Sequence, residues 1–205
     1  MTRISALSAA LIGALALTCA PAAFAQASTD TATVKPGVYK VESYHTQIGF
    51  SVSHFGFTPF SGFFSGASGA LTIDAGAPSA SKLEISAPIS SVLTTVPKLD
   101  EELKGPQWFD AAQFPNATFK STAITLTGKD TATVTGDLTL HGVTKPITLK
   151  ARFVGAGVNP IDKAYTVGFE AVGTIKRTEF GVKTYAPAIG DEVTLTLVGA
   201  FALQN

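Results

Sequence analysis

The sequence predicts an all-β fold, an up-and-down antiparallel barrel of about eight strands with one or two short helices. Apolar and polar residues alternate along 133–140 and again along 147–154, on either side of a short turn that contains Gly142. Period-two alternation around a glycine turn is typical of a β-hairpin. Only 15% of the residues are charged, against about a quarter in an average soluble protein. This low charge fits strands that turn one face toward an apolar interior.

The same alternation runs through most of the remaining chain. Residues 55–69 are rich in phenylalanine and glycine, and glycines within a strand indicate bends or bulges. A barrel of about eight strands is either filled by side chains or holds one small ligand. Small inward residues would leave room for a ligand, and the candidates are Gly136, Gly168, Gly173 and Ala171. The predicted strands cover residues 38–41, 48–53, 55–73, 83–89, 118–126, 133–140, 147–154, 164–174 and 193–203.

One helix is predicted between the strands. Residues 97–104 begin with a proline, place two leucines four positions apart on one face, and are followed by a glycine and a second proline. A proline in the first turn and a glycine after the last turn are usual helix boundaries. We predict Thr95 as the N-cap. Trp108 and Phe109 then form an apolar plug at the end of this helix.

The first 25 residues have the pattern of a signal peptide for export to the periplasm. Arg3 precedes an apolar run over residues 4–17, and Ala23-Phe24-Ala25 matches a cleavage site. The run is short for a transmembrane helix. The single cysteine, Cys19, does not follow the small residue that a lipoprotein site requires, so lipidation is the weaker alternative. Cleavage after Ala25 leaves a mature chain without cysteine, hence without disulfide or thiolate chemistry.

The mature chain is expected to form one domain. Residues 26–36 are a polar tract that we expect to be a flexible leader, and residues 37–205 form the barrel domain without a repeat or linker. The 15 basic and 15 acidic side chains balance. A nucleic-acid-binding protein would carry a basic patch or an excess of positive charge, so the sequence predicts no nucleic-acid partner.

Few residues suit catalysis or metal binding. His45 and His54 are nine positions apart, which is not a familiar metal-ligand spacing, and His141 is expected to be exposed in a turn. No metal site is therefore predicted. The chain has no Gly-x-Ser-x-Gly motif for a nucleophile and no phosphate-binding glycine loop. Residues 100–102 are three adjacent carboxylates on the helix, so they point in different directions and are expected on a solvated face.

The hairpin at 136–146 reads Gly-Asp-Leu-Thr-Leu-His-Gly-Val-Thr-Lys-Pro. It resembles the signature hairpin of the YceI-like family of periplasmic lipid-binding proteins. Residues 39–54 resemble the opening strand of that family, residues 108–122 its central Phe-Asp and Pro-x-x-Thr-Phe-Lys-Ser blocks, and residues 175–181 its late arginine-containing turn. One stretch departs from the family pattern. Where the family usually has Arg-Asp-x-His-Leu, this sequence has Leu-Asp-Glu-Glu-Leu at 99–103. If the missing Arg and His contact a ligand head group in relatives, this protein prefers another one.

The resemblance implies a lipocalin-like extended antiparallel barrel that binds a long apolar chain, such as a polyisoprenoid. The implied function is periplasmic binding, with transport or storage, of an isoprenoid quinone or a related lipid. It implies no catalytic residue and no cofactor other than that bound lipid or quinone. The expected partners are the isoprenoid lipid and, transiently, a membrane, and the protein is expected to be a monomer or a homodimer.

Strand parity predicts which side chains line an apolar tunnel for the lipid. Polar residues near the tunnel mouth would contact the head group, and the candidates are His45, His54 and Arg177. The predicted lining residues are Phe50, Val52, Trp108, Phe119, Leu138, Phe153 and Phe169.

Two alternatives from other functional classes stay open. One is a structural or stress-response barrel that binds no ligand and fills its interior with side chains. The other is a periplasmic enzyme that acts on a small apolar substrate. The enzyme would need an acid or base with a perturbed pKa inside the cavity, and only Arg177, His45 and Glu42 are candidates.

We expect export with cleavage after Ala25, because signal peptidase selects small residues at the two positions that Ala23 and Ala25 occupy. The intact mass of the protein in the periplasmic fraction measures this directly. The mass of a chain that starts at Gln26 would agree with the prediction, and the mass of a chain that retains Met1 would contradict it.

Overall fold

The predicted antiparallel barrel is confirmed by a computed structural model, which describes residues 27–204. Within those residues the chain forms ten strands and one α-helix, α1, at Pro97–Lys104. Single 3₁₀ turns lie at Thr31–Thr33, Pro78–Ala80, Ile89–Ser91 and Arg177–Phe180. The strands are β1 Gly37–Val41, β2 Gln47–His54, β3 Thr58–Phe64, β4 Ser68–Ile73, β5 Lys82–Pro88, β6 Asn116–Leu126, β7 Thr131–Leu140, β8 Val143–Val158, β9 Tyr165–Lys176 and β10 Ile189–Leu203.

Eight of these strands close into a ring. Neighbours are hydrogen-bonded in the order β1, β4, β5, β6, β7, β8, β9 and β10, and β10 then pairs with β1. The hairpin of β2 and β3 attaches to β10 beyond β1, because β1 pairs with residues 201–203 and β2 with residues 189–198. The segments β1 and β2 thus lie end to end along one edge of β10. The strands β3 and β4 likewise lie end to end, along the other edges of β2 and β1, so the ten strands act as eight.

The turn between β7 and β8 has the geometry that its two residues favour. His141 and Gly142 both have positive φ, 51° and 74°, and Leu140 pairs with Val143 across them. Two central residues with positive φ suit the right-handed twist of a hairpin. His141 is half-buried rather than exposed as expected, since Nδ1 lies 3.2 Å from the carbonyl oxygen of Phe180. Its ring also packs edge-on against Phe114.

Residues 27–36 were expected to form a flexible leader, but the structure places them against the barrel. Ser28 and Ala156 exchange two backbone hydrogen bonds of 2.8 and 2.9 Å. The fully buried hydroxyl of Tyr39 donates to the carbonyl of Lys35 at 2.7 Å. Burial, with a further contribution from Tyr165, raises the pKa of Tyr39 to about 12. The predicted signal peptide and its cleavage site lie outside the described residues.

The segment between β5 and β6, residues 89–115, crosses one end of the barrel. Phe63 of β3 and Leu93 exchange two backbone hydrogen bonds of 2.9 Å, which fix the segment to the free edge of β3. Trp108 belongs to this segment, and its side chain is buried, as expected of an apolar plug after α1. In the part of the chain that the structure describes, no helix has the length and hydropathy that a membrane crossing needs.

The boundaries of α1 match the prediction, but its N-cap does not. Val96 occupies that position and makes no side-chain cap, so the prediction of Thr95 is wrong. Asp100 is also not on a solvated face. It is buried and accepts hydrogen bonds from the backbone N–H and the hydroxyl of Thr94, at 2.7 and 2.6 Å. Asp100 therefore holds the chain that leads into the helix, as a cap would.

We expect Asp100→Ala to lower the free energy of unfolding by about 1–3 kcal/mol, because two donors of Thr94 lose their buried acceptor. Glu101→Ala is the matched control on the same helix, since Glu101 is exposed and pairs only with Lys104. Urea unfolding monitored by circular dichroism measures both variants. Equal stability of the two would show that Asp100 contributes no more than a surface carboxylate.

Candidate functional site

The interior of the barrel contains open space between its buried apolar side chains. In the part of the chain that the structure describes, two adjoining cavities of about 610 and 470 Å³ occupy it. The first lies at the end that residues 89–115 cross, and the second lies at the opposite end. Both cavities are lined mainly by apolar side chains, and five lining residues are common to the two: Ile48, Leu83, Ile85, Leu149 and Leu197. An apolar path therefore runs along the barrel axis.

Inward-facing glycines keep this path open. Gly62 lies directly opposite Phe50 in the sheet, and a Cβ atom at Gly62 would come within 2.6 Å of the Phe50 ring. A Cβ atom at Gly136 would likewise clash with the ring of Phe119. These rings can lie flat on the wall only because no side chain stands under them, so they do not project into the lumen. Gly173 has the same relation to Leu149, at 2.6 Å.

Three of the four small residues that were predicted to face the barrel interior do so. Gly136 and Gly173 face inward, and Ala171 lines the second cavity. Gly168 does not, because it alternates with the buried Val167 and with Phe169, which lines the cavity. The register shifts between residues 153 and 155 of β8, so that Gly155 pairs with Gly168, and a Cβ atom at Gly168 would lie 3.7 Å from the Cβ atom of the exposed Val154.

All seven predicted lining residues are on the cavity walls. Five line the first cavity, namely Phe50, Val52, Trp108, Phe119 and Leu138. Phe153 and Phe169 line the second, where their rings meet edge to face with centroids 5.6 Å apart. Strand alternation was sufficient to find six of them, whereas Trp108 lies in the segment after α1, outside any strand. Their contact with a lipid stays a prediction.

Polar side chains gather where the first cavity opens. Glu102 of α1 accepts a hydrogen bond from Nε1 of Trp108 at 3.1 Å. His54 lies at the end of β2, and Tyr185 lies in the loop before β10 with its ring 6.2 Å from that of Trp108. All four side chains line this cavity. The mouth thus offers a carboxylate, an imidazole and a phenol around an otherwise apolar opening.

Arg177 lines the same cavity, but its guanidinium is committed to the backbone. It is 5% exposed, and its centre lies 5.7 Å from the Trp108 ring. Burial lowers the pKa of Arg177 from its ordinary value, and nearby Asp191 opposes that shift. Four hydrogen bonds of 2.7 to 3.0 Å run from the guanidinium to the carbonyl oxygens of Val182, Thr184, Ile189 and Gly190. Arg177 therefore holds the loop at 181–190 in place.

His45 lies outside both cavities. Its side chain is 77% exposed and its Nδ1 bonds to the carboxylate of Glu42. Burial would raise the pKa of Glu42, but hydrogen bonds from His45 and from the backbone N–H of Tyr44 outweigh it and lower that pKa. The pair closes a local turn, so the geometry gives His45 no role at the mouth. His54 is the predicted head-group histidine that does line a cavity.

The second cavity opens between polar loops. Its rim includes Thr31, Asp74, Lys129, Asp130 and Glu170. Lys129 approaches Asp30 at 3.9 Å, and Glu170 pairs with Arg152 at 2.6 Å. The two ends of the barrel therefore differ in character. Among residues 27–204, no group of three or more His, Cys, Asp or Glu side chains could hold a metal ion.

A YceI-like domain model matches residues 39–201. The chain belongs to the YceI-like family. Among its YceI-like relatives, a UPF0312 protein of Pseudomonas savastanoi pv. phaseolicola is 40% identical over 146 residues, which cover 71% of this chain and 76% of the relative. A UPF0312 protein of Azotobacter vinelandii is 35% identical over 156 residues, covering 76% and 81% of the two chains.

Solved structures share the YceI-like barrel. BcnA of Burkholderia cenocepacia superposes with a TM-score of 0.70 at 24% identity, covering 78% of this chain and 98% of that one. A YceI protein of Campylobacter jejuni gives 0.65 at 25% identity over 89% and 100%. A structure described as a polyisoprenoid binding domain from Saccharophagus degradans, implicated in plant cell wall breakdown, gives 0.62 at 15% identity over 83% and 100%.

The departure from the family pattern at 99–103 falls on the cavity wall. Leu99 and Glu102 occupy the positions where the YceI-like pattern has Arg and His, and both line the first cavity. The intervening Asp100 and the following Leu103, which keep the pattern, are both buried. Leu103 also lines the first cavity, so of these four residues only Asp100 has a purely structural position.

Sequence reasoning missed the residues that the loops contribute. Tyr185 belongs to no strand or helix, so no periodicity could assign it to the mouth. Glu102 was expected on a solvated face. Its position three residues after Leu99, on the same face of the helix, could have indicated that it lines the cavity. Leu83 and Leu149 follow strand parity and could have been included with the predicted lining.

We expect Arg177→Ala to act chiefly on stability. Its removal leaves four carbonyl oxygens of the 181–190 loop without their donor, which should cost about 3 kcal/mol or more. Arg152→Ala is the control, because Arg152 makes an exposed ion pair with Glu170 that contributes at most about 1 kcal/mol. Denaturant unfolding of both variants measures the difference. If Arg177→Ala lowers the free energy of unfolding no more than Arg152→Ala does, the bonds from Arg177 to the 181–190 loop do not stabilise the fold.

Proposed function

We propose that this protein binds a polyisoprenoid lipid, with the apolar chain lying along the barrel axis in the two adjoining cavities. The observation that carries the proposal is the apolar path itself. A cavity of about 610 Å³ falls within the range of small-molecule sites, about 300–1,000 Å³. Its continuation into a second cavity through five shared wall residues suits a long, narrow ligand better than a compact one.

The physical chemistry of a chain in such a path is favourable. Burying one CH₂ group contributes about 0.8 kcal/mol. Ten such groups give roughly 8 kcal/mol before ordering costs, which corresponds to about micromolar affinity. An apolar tail can thus bind without any ion pair. This matches walls that are lined mainly by apolar side chains.

The comparisons support the same ligand class. The YceI-like family and the barrel shared with the polyisoprenoid binding domain from Saccharophagus degradans make an isoprenoid the first candidate. We propose an isoprenoid quinone or a related lipid, carried or stored in the periplasm after removal of the signal peptide. The head group would lie at the mouth of the first cavity, near His54, Glu102 and Tyr185. The phenol of Tyr185 and the imidazole of His54 can donate hydrogen bonds to the carbonyl oxygens of a quinone, whereas the carboxylate of Glu102 favours a head group that donates them, as the hydroxyls of the reduced quinol do.

The two alternatives fit the interior less well. A ligand-free structural barrel would fill its interior with side chains, whereas here phenylalanine rings lie against glycines and leave the lumen open. An enzyme would need a free acid or base facing the substrate. Of the three candidates that the sequence offered, Arg177 is bonded to four carbonyls, and His45 and Glu42 bond to each other outside both cavities. Glu102, His54 and Tyr185 do line the first cavity, but they lie at its mouth, where we place the head group rather than a reacting atom. A binding protein is therefore our proposal.

Organic extraction of the purified protein followed by mass spectrometry tests the proposal, and we expect an isoprenoid lipid in the extract. Phe169→Asp should abolish lipid retention, because it brings an unpaired charge into the apolar path. Val172→Asp is the matched control, since Val172 lies on the same strand with its side chain half-exposed on the outer face. This control should retain the lipid.

A second variant covers the case in which Phe169→Asp does not fold. Ala171→Phe adds apolar bulk to the wall of the second cavity without adding charge. It should shorten or weaken the retained chain while leaving the β-sheet spectrum unchanged. The tunnel assignment is wrong if folded Phe169→Asp or Ala171→Phe carries the same lipid in the same amount as the original protein.

A further inference from the structure

Exposed apolar side chains surround the mouth of the first cavity. Phe57, at the tip of the β2–β3 hairpin, is 85% exposed, and Tyr185 is 59% exposed. Phe55 and Val96 are also exposed, and Phe55, Val96 and Tyr185 line the cavity as well. Single exposed apolar residues are ordinary, but a cluster around an opening marks an interaction surface. We call Phe55, Phe57, Val96 and Tyr185 the mouth rim.

The rim comes from three segments that are fixed to one another. The backbone N–H of Phe55 donates to the carbonyl of Ala188 at 3.0 Å, which joins the hairpin tip to the loop that carries Tyr185. The Tyr185 ring packs beside Trp108, which follows α1. Arg177 holds the same loop through its four carbonyl bonds. The exposed rings therefore form a defined surface around the opening.

Two lysines flank this rim. Lys98 lies in the first turn of α1 beside Val96, and Lys183 lies two residues before Tyr185. Both are exposed, and neither forms an ion pair with any residue of the 27–204 region. The carboxylate of Glu102 also lies at this mouth, so two lysines face one carboxylate there. The opposite end presents Asp74 and Asp130 together with Lys129 at the second cavity. Apolar rings and a small excess of positive charge thus occur together at one end.

We infer that the mouth rim docks on the surface of a lipid bilayer that contains anionic head groups. This inference rests on the proposed function, because an isoprenoid lipid resides in a bilayer and the rim is continuous with the cavity that would receive it. Aromatic side chains favour the boundary between head groups and acyl chains, and lysines favour anionic lipid. Docking in this orientation lets an apolar chain pass between bilayer and barrel without crossing water.

Flotation of the purified protein with vesicles of phosphatidylethanolamine and phosphatidylglycerol tests the docking. Phe57→Ser should weaken the vesicle partition coefficient by about tenfold, because a ring that enters the interface loses its apolar contact. Ile161→Ser is the matched control. Ile161 is 88% exposed, as Phe57 is, but lies in the β8–β9 turn at the opposite end. It should leave partition unchanged.

The charges are tested in the same assay. Lys98→Glu and Lys183→Glu should each weaken partition by at least about fivefold, because a lysine near an anionic surface contributes a gain of that size. Lys82→Glu is the control, since Lys82 is exposed at the start of β5 near the other end and also has no ion pair among the described residues. The difference in partition coefficient between these two variants and the original protein should decrease at high salt and on vesicles of pure phosphatidylcholine.

The outcomes separate the docking from the ligand. Vesicle binding that falls in the rim variants and persists in both controls supports the docking. Failure of the original protein to bind vesicles at low salt overturns it, and so does an equal loss in rim and control variants. A change of oligomeric state in Phe57→Ser, measured by light scattering and without a change in vesicle binding, also overturns it.

Extraction of the same samples reports on the proposed function independently. Lipid in the extract without vesicle binding leaves the lipid-binding function standing and overturns the docking. Vesicle binding without extractable lipid supports the docking and counts against the lipid-binding function.

Discussion

The barrel depends on the pairing of β10 along both of its edges. One edge of this 15-residue strand pairs with β9 from residue 192 to residue 202, and the other edge pairs first with β2 and then with β1. At the break between those two segments, Ala200 accepts from the backbone N–H of Glu42 at 2.8 Å and donates to the hydroxyl of the buried Thr46 at 3.1 Å. The polar backbone groups at the break are therefore satisfied, and the ring closes there without a free edge.

Closure at eight strands determines what the interior can be. A ring of this size has a lumen that ordinary side chains fill, so an open path needs small residues or side chains that lie on the wall. Here both conditions are met at Gly62 and Gly136, under the rings of Phe50 and Phe119. The open edge of β3 is covered by residues 89–115, which also bring Glu102 and Trp108 to the mouth. The site is thus a direct result of how the sheet closes.

The sequence allowed the fold and the cavity wall to be predicted because both follow from period-two alternation. Phe50, Phe119 and Phe169 were assigned inward by parity alone, and each lines a cavity. The break between β1 and β2 was predicted, since separate strands were placed at 38–41 and 48–53. The run at 55–73 was predicted as one strand, but the structure divides it into β3 and β4, which pair with β2 and β1 respectively. Gly168 was misassigned although parity opposes it, since it alternates along β9 with Val167 and Phe169, which face inward.

Side chains in irregular segments were the least predictable part of the site. Arg177 was expected to meet a ligand, yet its donors are taken by carbonyls of a loop whose path no local pattern encodes. Asp100 and Glu102 lie two residues apart on one short helix, but one is buried under Thr94 and the other faces the cavity. Such distinctions arise from the way the segment 89–115 packs on the barrel end, which is a tertiary effect.

The glycines under the aromatic rings have a consequence for how this fold could change its ligand. A Cβ atom added at position 62 or 136 would meet not only a phenylalanine ring but also a backbone carbonyl oxygen, that of Leu93 at 2.8 Å or that of Lys120 at 2.5 Å. Neither glycine can therefore be exchanged without moving both the ring and the neighbouring backbone. The width of the lumen is thus tied to the geometry of the sheet at these two positions, and a relative that needs a narrower or wider lumen would have to change it elsewhere along the wall.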